Sequence, residues 1–540
     1  MKIVVIGAVA AGTSVISKAR RNNEEVEIVA YTSGSDISYS GCGIPYYIGD
    51  DYITRKNLTP RDALWFESRF NMKLNINHKV LSVNPNNKTI YILNELTGEK
   101  FTDTYDKLVI TTGAKPKKLN FERENIFYIR DINSGENLKN FILKNSPKKA
   151  LIVGSGYIGL EMAENLKNKG LDVTILEIKN SIGNVDKDLS IYLENYLKNK
   201  NINIIFNDQI KSISSNGKIV TTLNENIIET DIIIGAIGVT PNVEFMNSTN
   251  IELGKNGAIK VNKYLETSLD NIYAAGDCAT TFSLITGEEL YVPLGSTANK
   301  TGRILGDRLT GGSLEFKGIL GTSIFKCFQM AYASTGLTED TALEKGFSIE
   351  IIHNIKPNQT EYFNTSKEMI IKAIADKNTK KILGVQILGE NGVDKRIDVF
   401  ATLLTFGATV DQLFHLDLAY APPFSTTKDP VIYTGMILEN SLNKNIKIIT
   451  PNELKKRRDE FTIIDVRSKD QYSFAHIDGA INIPLEVLRN SLDTIDKNKK
   501  VAVHCNKGVT GNMGQNILLN NGFDAYNISG GFKNYSTLIK

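Results

Sequence analysis

Short apolar runs that end in glycine alternate with amphipathic stretches over the first 320 or so residues. KIVVIG leads into AVAAGTSVISKARR, and KKALIVGSG leads into YIGLEMAENLKNKG and then a second apolar run, LDVTILE. The apolar runs predict buried strands, and the stretches that follow predict helices. YDKLVITTGA, TDIIIGAIGVTPN and TSLDNIYAAGDCA add further strands that end in glycine. The pattern indicates two strand–loop–helix units, and these further strands extend the sheets that the units begin.

The pattern changes from about Phe316 onward. Strand-like segments such as GVQILG alternate there with a helical stretch, RIDVFATLLTFG, and with the aromatic-proline segment LAYAPPF. The charged, Asn-rich SLNKNIKIITPNELKKRRDE is typical of a junction. Beyond it FTIIDVR, AINIPL and KVAVHC are short buried strands alternating with helical or loop stretches. They predict a small α/β domain of its own.

Composition narrows the class of protein. The chain has 540 residues, too many for one core, and its Lys+Arg of 63 against Asp+Glu of 60 gives a net charge of +3, which argues against a nucleic-acid partner. No stretch reaches the length of a membrane span. Four widely spaced cysteines fit neither a disulfide scaffold nor a zinc site, so we expect no metal and a reducing cytoplasm.

The second glycine loop is complete. Gly154, Gly156 and Gly159 form G-x-G-x-x-G directly after a strand. The fingerprint needs glycine for a tight turn, for close approach of the pyrophosphate and for close helix packing. Glu177 ends the next strand, where an acid binds the ribose 2′-hydroxyl and repels a 2′-phosphate. The loop therefore predicts NADH, while nearby Lys179 leaves NADPH open.

The first glycine loop is incomplete. Gly7 and Gly12 are present, but Val9 occupies the middle glycine position, and Thr32 or Ser33 stands where an acid is expected. Taken alone, the loop fits either a dinucleotide site or an ordinary tight turn between strand and helix.

The glycine motifs taken together resemble a family. Gly7…Gly12, TTGA, G-x-G-x-x-G, AIGVTPN and YAAGDCA, in this order, resemble the pyridine nucleotide–disulfide oxidoreductases over roughly the first 440 residues. The resemblance implies FAD in the first loop, NAD(P)H in the second, and a contact between Asp277 and the ribityl chain. The implied FAD contacts are Gly7, Ala8, Val9, Ala10, Ala11, Gly12, Thr32, Ser33, Val80, Thr112, Gly113, Asp277 and Ala298. The implied NAD contacts are Gly154, Gly156, Tyr157, Ile158, Gly159, Glu161, Glu177 and Gly238.

The redox centre is predicted at Cys42, in SYSGCGIPYYIG, with no second cysteine a few residues away and no His-Pro relay. A lone cysteine needs an external sulfur partner or an oxidised form of its own. We expect backbone N–H groups and nearby cations to lower its pKa. The segment most resembles coenzyme A disulfide reductases, although Gly41 replaces their usual Asn. Pro45 and Tyr46 also match, and the implied coenzyme A contacts are Lys18, Arg21, Ser38 and Cys42.

The segments ENGVDKRIDVFATLL and LDLAYAPPFSTTKDP extend this resemblance. It implies a homodimer in which Tyr420, and more weakly Tyr362, reaches the partner's cysteine as a proton donor. Packing is the alternative role for Tyr420. Ala10 stands where flavoprotein peroxidases of the family carry His, which argues against peroxidase activity. Cys278 and Cys327 fit small buried apolar residues.

The C-terminal segment resembles a rhodanese domain. Asp465-Val466-Arg467, His476-Ile477 and Asn482-Ile483-Pro484 match its framework. Cys505 opens a loop whose N–H groups are expected to face and stabilise an anionic sulfur. The loop residues are Asn506, Lys507, Gly508, Val509 and Thr510. Lys507 adds a charge suited to an anionic donor, whereas Asn506 replaces the Arg of thiosulfate sulfurtransferases.

The sequence therefore predicts an α/β protein with two Rossmann-like dinucleotide-binding domains, an α+β dimerisation domain and an α/β rhodanese domain. The predicted bounds are 1–112 with 241–318 for FAD, 113–240 for NAD(P)H, 319–443 for dimerisation and 444–540 for rhodanese. The predicted function is NAD(P)H-driven reduction of a small sulfur substrate, coenzyme A disulfide or persulfide or polysulfide. The alternatives are an NADH oxidase with a Cys42 sulfenic acid and a sulfur-carrier or redox-sensing module.

Overall fold

The computed structural model describes residues 1–539, which form two compact units. The first unit contains Met1–Lys179 and Asn201–Ile319. The second contains Asn180–Lys200 and the chain from Leu320 onward. Helix Lys187–Asn199 thus belongs to the second unit, although the sequence prediction counted it with the NAD(P)H-binding domain.

A five-stranded parallel sheet begins the first unit. Its N-terminal strand lies at the centre, and Ile3, Val4 and Val5 are fully buried because both faces of the sheet are covered. In spatial order the strands are Ile272–Ala274, Lys107–Ile110, Lys2–Ile6, Glu27–Thr32 and Lys73–Ile76. The central strand runs directly into the first glycine loop and helix Ala10–Asn22.

A second five-stranded parallel sheet repeats this arrangement. The strand before the G-x-G-x-x-G loop is again central, and helix Tyr157–Asn168 follows the loop. In spatial order the strands are Asn203–Ile205, Asp172–Leu176, Lys149–Val153, Ile232–Gly235 and Ile126–Phe127. Two dinucleotide-binding folds therefore lie in the first unit.

Small antiparallel sheets and short helices complete this unit. The two three-stranded sheets are His78–Asn84, Thr89–Asn94, Lys100–Thr104 and Ile210–Ile213, Ile219–Thr222, Ile227–Glu229. The two-stranded pairs are Ala114–Pro116 with Val239–Pro241 and Thr281–Phe282 with Glu289–Leu290. The other helices and turns are Gly41–Gly43, Ile44–Gly49, Arg55–Leu58, Ala63–Phe70, Ile132–Asn145, Glu244–Met246 and Gly295–Leu309.

The second unit contains an antiparallel sheet covered by helices. Its strands, in spatial order, are Ser323–Cys327, Met330–Gly336, Ile382–Gly389, Glu368–Asp376 and Ile349–Pro357. Two of the inner strands, Ile382–Gly389 and Glu368–Asp376, are long and mostly apolar, and residues Met369 to Asp376 are all buried. The accompanying helices and turn are Lys187–Asn199, Glu339–Glu344, Val393–Thr405, Val410–His415 and Pro430–Leu442.

A parallel sheet at the C-terminal end of the chain also belongs to the second unit. Its strands are Ile448–Ile449, Ala525–Ile528, Lys500–His504, Phe461–Asp465 and Ile481–Asn482. The helices and turns around it are Pro451–Lys456, Arg458–Glu460, Lys469–Phe474, Leu485–Leu488, Leu492–Thr494, Val509–Leu519 and Gly531–Leu538. Cys505 follows the central strand directly.

These sheets confirm the predicted fold class, two dinucleotide-binding folds with an α+β domain and a small C-terminal α/β domain. Among residues 1–539, no helix combines the length and the apolar character needed to cross a membrane.

Candidate functional site

The first glycine loop is built for close approach of a ligand. Gly7 has φ +97°, and a Cβ at this position would lie 2.4 Å from the carbonyl oxygen of Thr111. A Cβ at Gly12 would lie 1.9 Å from the carbonyl oxygen of Gly7, so the helix packs tightly on the loop. Val9 precedes helix Ala10–Asn22 and provides no side-chain cap, so the first N–H groups of the helix can bind a phosphate.

The residues predicted to hold FAD gather around one cleft of about 990 Å³ in the first unit. Those that line the cleft are Gly7, Val9, Thr32, Ser33, Val80, Thr112 and Gly113. Ala11 and Ala298 pack beside Gly276, where a Cβ would lie 2.9 and 3.5 Å from theirs. Ala8 is fully buried behind the loop, and Ala10 begins the helix. A cleft of this volume with an uncapped helix end fits a dinucleotide such as FAD.

Arg130 is a residue of this cleft that the sequence analysis missed. Its guanidinium lies 3.1 Å from a carboxylate oxygen of Asp277, and Arg130 also lines the cleft. It precedes helix Ile132–Asn145 in the segment IRDINSG, which carries no recognisable motif. The pair places opposite charges side by side at the predicted ribityl position.

The second glycine loop has the same construction. Gly154 has φ +102°, and a Cβ there would lie 2.5 Å from the carbonyl oxygen of Ala236. A Cβ at Gly156 would meet nothing within 4 Å, and helix Tyr157–Asn168 begins at this residue without a side-chain cap. The loop thus leaves open space at a helix N-terminus, which suits a pyrophosphate.

Glu177 is fixed against this loop. One carboxylate oxygen accepts hydrogen bonds from the backbone N–H and the hydroxyl of Ser155 at 2.8 and 2.6 Å. The other accepts from the backbone N–H of Lys179 at 2.9 Å. Of the remaining predicted NAD contacts, Tyr157, Ile158 and Glu161 lie on the helix, and Gly238 follows strand Ile232–Gly235 with φ +101°.

Cys42 lies in the turn Gly41–Gly43 and is exposed. Burial of the sulfur and the negative charges of Glu161 and Asp277 raise the pKa of Cys42, while Arg130 opposes them. The prediction of a lowered pKa was therefore wrong, because partial burial of the sulfur, together with two carboxylates, outweighs one guanidinium. The cleft of the first loop is close by, since a Cβ at the neighbouring Gly41 would lie 4.0 Å from the carbonyl oxygen of Arg130, which lines that cleft.

Glu161 is the carboxylate with the largest influence on Cys42. Burial raises its pKa to about 7, and the hydroxyl of Tyr46 donates to it at 3.3 Å. A buried carboxyl group that titrates near neutral pH can hold or release a proton beside a redox cysteine. The sequence analysis named Glu161 only as a nucleotide contact.

The predicted coenzyme A contacts differ in their availability. Ser38 adopts φ 48° before the Cys42 turn, and its backbone N–H donates to the carbonyl oxygen of Ala8 at 3.1 Å. The ammonium of Lys18 lies 3.1 Å from a carboxylate oxygen of Asp307, so its charge is already paired. Arg21, near the end of the same helix, is exposed.

Tyr362 and Tyr420 lie on two loops of the second unit that are bonded to each other. Both rings are exposed, by 73% and 47%, and Tyr420 lines a cavity of about 490 Å³. The hydroxyl of Thr360 donates to the carbonyl oxygen of Pro422 at 2.6 Å. Two tyrosines far apart in sequence therefore share one surface.

Buried Arg396 holds these loops. Its guanidinium donates to Asp429 at 2.9 Å and to the carbonyl oxygen of Asn358 at 2.8 Å, and Asp429 also accepts from Ser425 at 2.7 Å. Both charged residues belong to segments that the sequence analysis quoted, but their pairing appears only in the fold.

Cys505 is buried at the start of the predicted rhodanese loop. The backbone N–H of Gly508 donates to its sulfur at 3.2 Å, and helix Val509–Leu519, which contains Thr510, begins immediately afterwards. Lys507 forms ion pairs with Glu368 and, at 3.8 Å, with Glu361. The charge that we expected to be free for an anionic donor is thus largely neutralised by carboxylates of the antiparallel sheet region.

A buried ion pair supports the loop from below. Arg467 donates to Asp465 from Nε at 2.9 Å and from Nη2 at 2.6 Å, and both side chains are almost fully buried. Burial lowers the pKa of the adjacent His504 to about 4, so this imidazole is neutral. The rhodanese framework residues found in the sequence therefore act as a scaffold.

His353, for which the sequence suggested no role, lies in a buried network of the second unit. Its Nε2 lies 2.7 Å from Asp188, and its backbone N–H donates to the hydroxyl of Ser529 at 2.6 Å. Cys278 and Cys327 are fully buried, and burial raises the pKa of Cys278 to about 11. These two cysteines are unsuited to redox chemistry.

The chain has two nucleotide-binding loops on parallel sheets and an exposed cysteine near them. It also has a second cysteine in a C-terminal α/β domain. This combination defines a flavin- and nicotinamide-dependent sulfur oxidoreductase. The chain belongs to the pyridine nucleotide-disulphide oxidoreductases, whose model matches residues 1–298. The dimerisation domain of that family matches residues 322–430, and a rhodanese-like domain matches residues 450–538. FAD and NAD(P)H are accordingly its cofactors.

Named relatives agree with this family. Coenzyme A disulfide reductase of Staphylococcus epidermidis is 32% identical over 436 residues, which cover 80% of this chain and 99% of the relative. The crystal structure of reduced Bacillus anthracis CoADR-RHD superposes with a TM-score of 0.98 at 35% identity, covering 100% of this chain and 98% of that one. A NAD-dependent persulfide reductase from A. fulgidus superposes with a TM-score of 0.92 at 32% identity, covering 99% and 100%.

Proposed function

We propose that this protein uses NAD(P)H to reduce coenzyme A disulfide or coenzyme A persulfide through Cys42. The observation that carries the proposal is that Cys42 is exposed, while the other three cysteines are buried. A solvent-facing thiol without a partner in its own loop needs an external sulfur to form a disulfide. The names of the relatives, a coenzyme A disulfide reductase and a persulfide reductase, supply that external sulfur.

The Cys42 thiolate attacks one sulfur of coenzyme A disulfide and forms a mixed disulfide, and coenzyme A leaves as a thiolate. Two electrons then cleave the mixed disulfide and return Cys42 and a second coenzyme A thiol. The sum is coenzyme A disulfide, NADH and one proton giving two coenzyme A thiols and NAD⁺. With coenzyme A persulfide the products are coenzyme A and hydrogen sulfide.

FAD, when bound, carries electrons from NAD(P)H to sulfur. In this proposal Gly7, Gly12 and Thr112 hold it, which is supported by the 990 Å³ cleft that Gly7, Thr112 and Arg130 line, and Asp277 pairs with Arg130. The uncapped helix ends at both glycine loops bind phosphates.

Glu161 supplies the proton in this scheme. Its carboxyl group is partly protonated near neutral pH and its charge acts on Cys42. A neutral Glu161 allows the Cys42 thiolate to form, and the same group can protonate a leaving thiolate. Tyr46 orients the carboxyl group through its hydroxyl.

NADH is preferred over NADPH in this proposal. The Glu177 carboxylate, fixed by Ser155 and the Lys179 backbone, repels a 2′-phosphate and accepts from a ribose hydroxyl. The Lys179 side chain is the nearby cation that keeps NADPH in use as a second substrate.

Coenzyme A contacts the protein at Ser38 and Arg21, with Lys18 in support. Arg21 is exposed and free to meet a phosphate, whereas Lys18 shares its charge with Asp307. Removal of Arg21 should therefore weaken coenzyme A binding more than removal of Lys18.

The dimerisation domain points to a homodimer, and we assign Tyr420 and Tyr362 to the partner's Cys42 site. Their exposure and their shared surface support this assignment. Phenol groups at that place can protonate the leaving coenzyme A thiolate.

The rhodanese-like domain handles sulfane sulfur at Cys505. Covalent tethering raises the effective concentration of a sulfur carrier at the reductase site, which gives the fusion a purpose. Unpaired cysteines fit a reducing compartment, so we place the protein in the cytoplasm.

The test is anaerobic NADH oxidation by the purified holoenzyme with coenzyme A persulfide, with coenzyme A disulfide and without acceptor, in the wild type and in Cys42→Ser. Fast turnover that needs the sulfur substrate and is lost in the variant supports the proposal. Turnover that begins only when air is admitted would identify an oxidase. Negligible turnover with every sulfur compound, together with a stable protein complex, would identify a sulfur carrier.

A further inference from the structure

The cation of the rhodanese loop is not free. The Glu368 carboxylate accepts from both Lys507 and Lys533, and Lys507 also lies 3.8 Å from Glu361. Both carboxylates belong to the region of the antiparallel sheet, and Glu368 begins strand Glu368–Asp376. Two carboxylates thus meet the two lysines nearest the loop, and little positive charge remains there for a ligand.

Lys356 is a second cation close to the Cys505 loop. It is the penultimate residue of strand Ile349–Pro357, whose last residue pairs with Glu368. Its ammonium lies 3.7 Å from the centre of the Tyr433 ring. Among the residues that the structure describes, no carboxylate lies within 4 Å of this nitrogen.

Lys356 is electrostatically coupled to Cys505. Burial and the positive charges of Lys507 and Lys428 lower the pKa of Lys356, and the negative charges of a Cys505 thiolate and of Glu361 raise it. The geometry agrees, since the residue after Lys356 pairs with Glu368, which holds Lys507 of the Cys505 loop.

Hydrogen bonds fix the spacing between Lys356 and the loop. The strand that carries Lys356 donates from the His353 backbone N–H to the Ser529 hydroxyl at 2.6 Å. Further along the segment after Ser529, the Phe532 N–H donates to the carbonyl oxygen of Cys505 at 2.8 Å. The sheet and the loop are thus joined through one short segment of chain.

We propose that Lys356 completes an anion-binding site at Cys505, built jointly by the antiparallel sheet region and the rhodanese-like domain. Its ligand is the anionic end of a sulfane-sulfur donor, with thiosulfate as the simplest example. The inference rests on the proposed sulfur transfer at Cys505. Glu368 holds Lys507 and so fixes the loop, and Lys356 supplies the charge for the ligand.

In the reaction with thiosulfate, the Cys505 thiolate attacks the outer sulfur. The sulfur–sulfur bond of thiosulfate breaks, a new sulfur–sulfur bond forms at Cys505, and sulfite leaves with the electron pair. A dianion that approaches a thiolate is repelled, and a half-buried cation without a carboxylate partner offsets this repulsion.

The test uses full-length, FAD-loaded protein that carries Cys42→Ser, so that Cys505 is the reactive thiol. Its alkylation rates with anionic iodoacetate and with neutral iodoacetamide are compared in the parent, in Lys356→Gln and in Lys356→Arg. The ratio of the iodoacetate rate to the iodoacetamide rate should fall about three- to tenfold in Lys356→Gln. Lys356→Arg should restore most of it, and Lys326→Gln, an exposed lysine on the same sheet, should leave it unchanged.

An unchanged ratio in Lys356→Gln, or equal falls of both rates, would overturn the inference, since equal falls indicate a loop that has moved. A second measurement, sulfur transfer from thiosulfate to cyanide with Cys42 intact, should show a raised KM for thiosulfate in Lys356→Gln. NADH-driven reduction of coenzyme A disulfide should not change. The alkylation ratio could fall in Lys356→Gln while the wild type shows no sulfur transfer from thiosulfate. That result would support the anion site but overturn the assignment of a sulfane-sulfur donor as its ligand.

Discussion

Cys42 and Cys505 are both sulfur centres, and their surroundings are opposite. Cys42 is exposed as a residue, yet partial burial of its sulfur and the negative charges of Glu161 and Asp277 raise its pKa. Cys505 is buried, accepts a backbone hydrogen bond from Gly508, and lies near Lys356 and the paired Lys507.

The difference between the two cysteines follows from the groups that surround each sulfur. At Cys42, partial burial and two carboxylates raise the pKa of the thiol and so favour its protonated form, which is less readily oxidised than a thiolate. At Cys505, the Gly508 N–H donates to the sulfur, and lysines held by the fold lie around the loop. One chain thus contains a cysteine beside carboxylates and a cysteine beside an N–H donor and lysines.

The largest expected effect separates the two activities. Cys42→Ser should reduce NADH-driven reduction of coenzyme A disulfide by about 10³-fold or more, because the attacking sulfur is lost. Cys505→Ser should leave that rate intact and abolish sulfur transfer from thiosulfate to cyanide. Both rates are measured on both variants. Loss of both activities in either variant would show that the two sites do not act separately.

The Cys505 site should be sensitive to the buried Arg467–Asp465 ion pair that supports its loop. Arg467→Ala leaves the buried Asp465 carboxylate unpaired and should destabilise the C-terminal domain by about 3–5 kcal/mol. Arg457→Ala, which breaks the exposed pair with Glu460, should destabilise the domain far less, because water and salt screen that pair. Urea titration monitored by Cys505 alkylation reports this domain, while fluorescence of Trp65, the single Trp, reports the first unit. Equal midpoints for the two variants would contradict the scaffold role.

The Cys42 site should respond to one carboxylate. As pH rises through about 7, Glu161 ionises and opposes formation of the Cys42 thiolate. Glu161→Gln removes that charge, so the thiolate should form at lower pH. The measurement is the pH profile of Cys42 alkylation in a Cys505→Ser background, with exposed Glu124→Gln as the control. A profile that does not move, or that moves to higher pH, would exclude Glu161 as the controlling group.

The smallest expected effect concerns Tyr46. Tyr46→Phe removes a hydrogen bond that lowers the pKa of Glu161, so Glu161 should ionise at higher pH. Glu161 then stays neutral over a wider pH range, and over that range it does not oppose formation of the Cys42 thiolate. The cost in stability should be about 0.5–1.5 kcal/mol. The same alkylation profile and a urea titration followed by Trp65 measure both quantities. A shift as large as that of Glu161→Gln would mean that Tyr46 acts on Cys42 directly.

Local patterns were sufficient for the fold class and for the loops. The glycine spacings, the apolar strands and the CNKGVT loop depend on neighbours in sequence, because tight turns and strand–helix units are built from consecutive residues. Gly7 and Gly154 adopt the positive φ that such turns require. Cys42 and Cys505 could be singled out because each lies within a local motif.

The charge around each cysteine could not be predicted in this way. The raised pKa of Cys42 depends on burial and on Glu161 and Asp277, and the pairing of Lys507 depends on Glu361 and Glu368. These residues are distant in sequence from the cysteines that they affect. Electrostatic energy depends on distance and burial, which the order of residues along the chain does not give.

The sequence by itself determined that this protein has two nucleotide loops, a lone redox cysteine and a rhodanese-like cysteine, because these features are written in short motifs. Only the tertiary structure decided which charges face each sulfur, that Arg396 joins the tyrosine loops, and that Lys356 rather than Lys507 is the cation without a carboxylate partner. The physical reason is that a turn is fixed by its own residues, whereas a pKa and an ion pair are fixed by whatever the folded chain brings within a few ångströms.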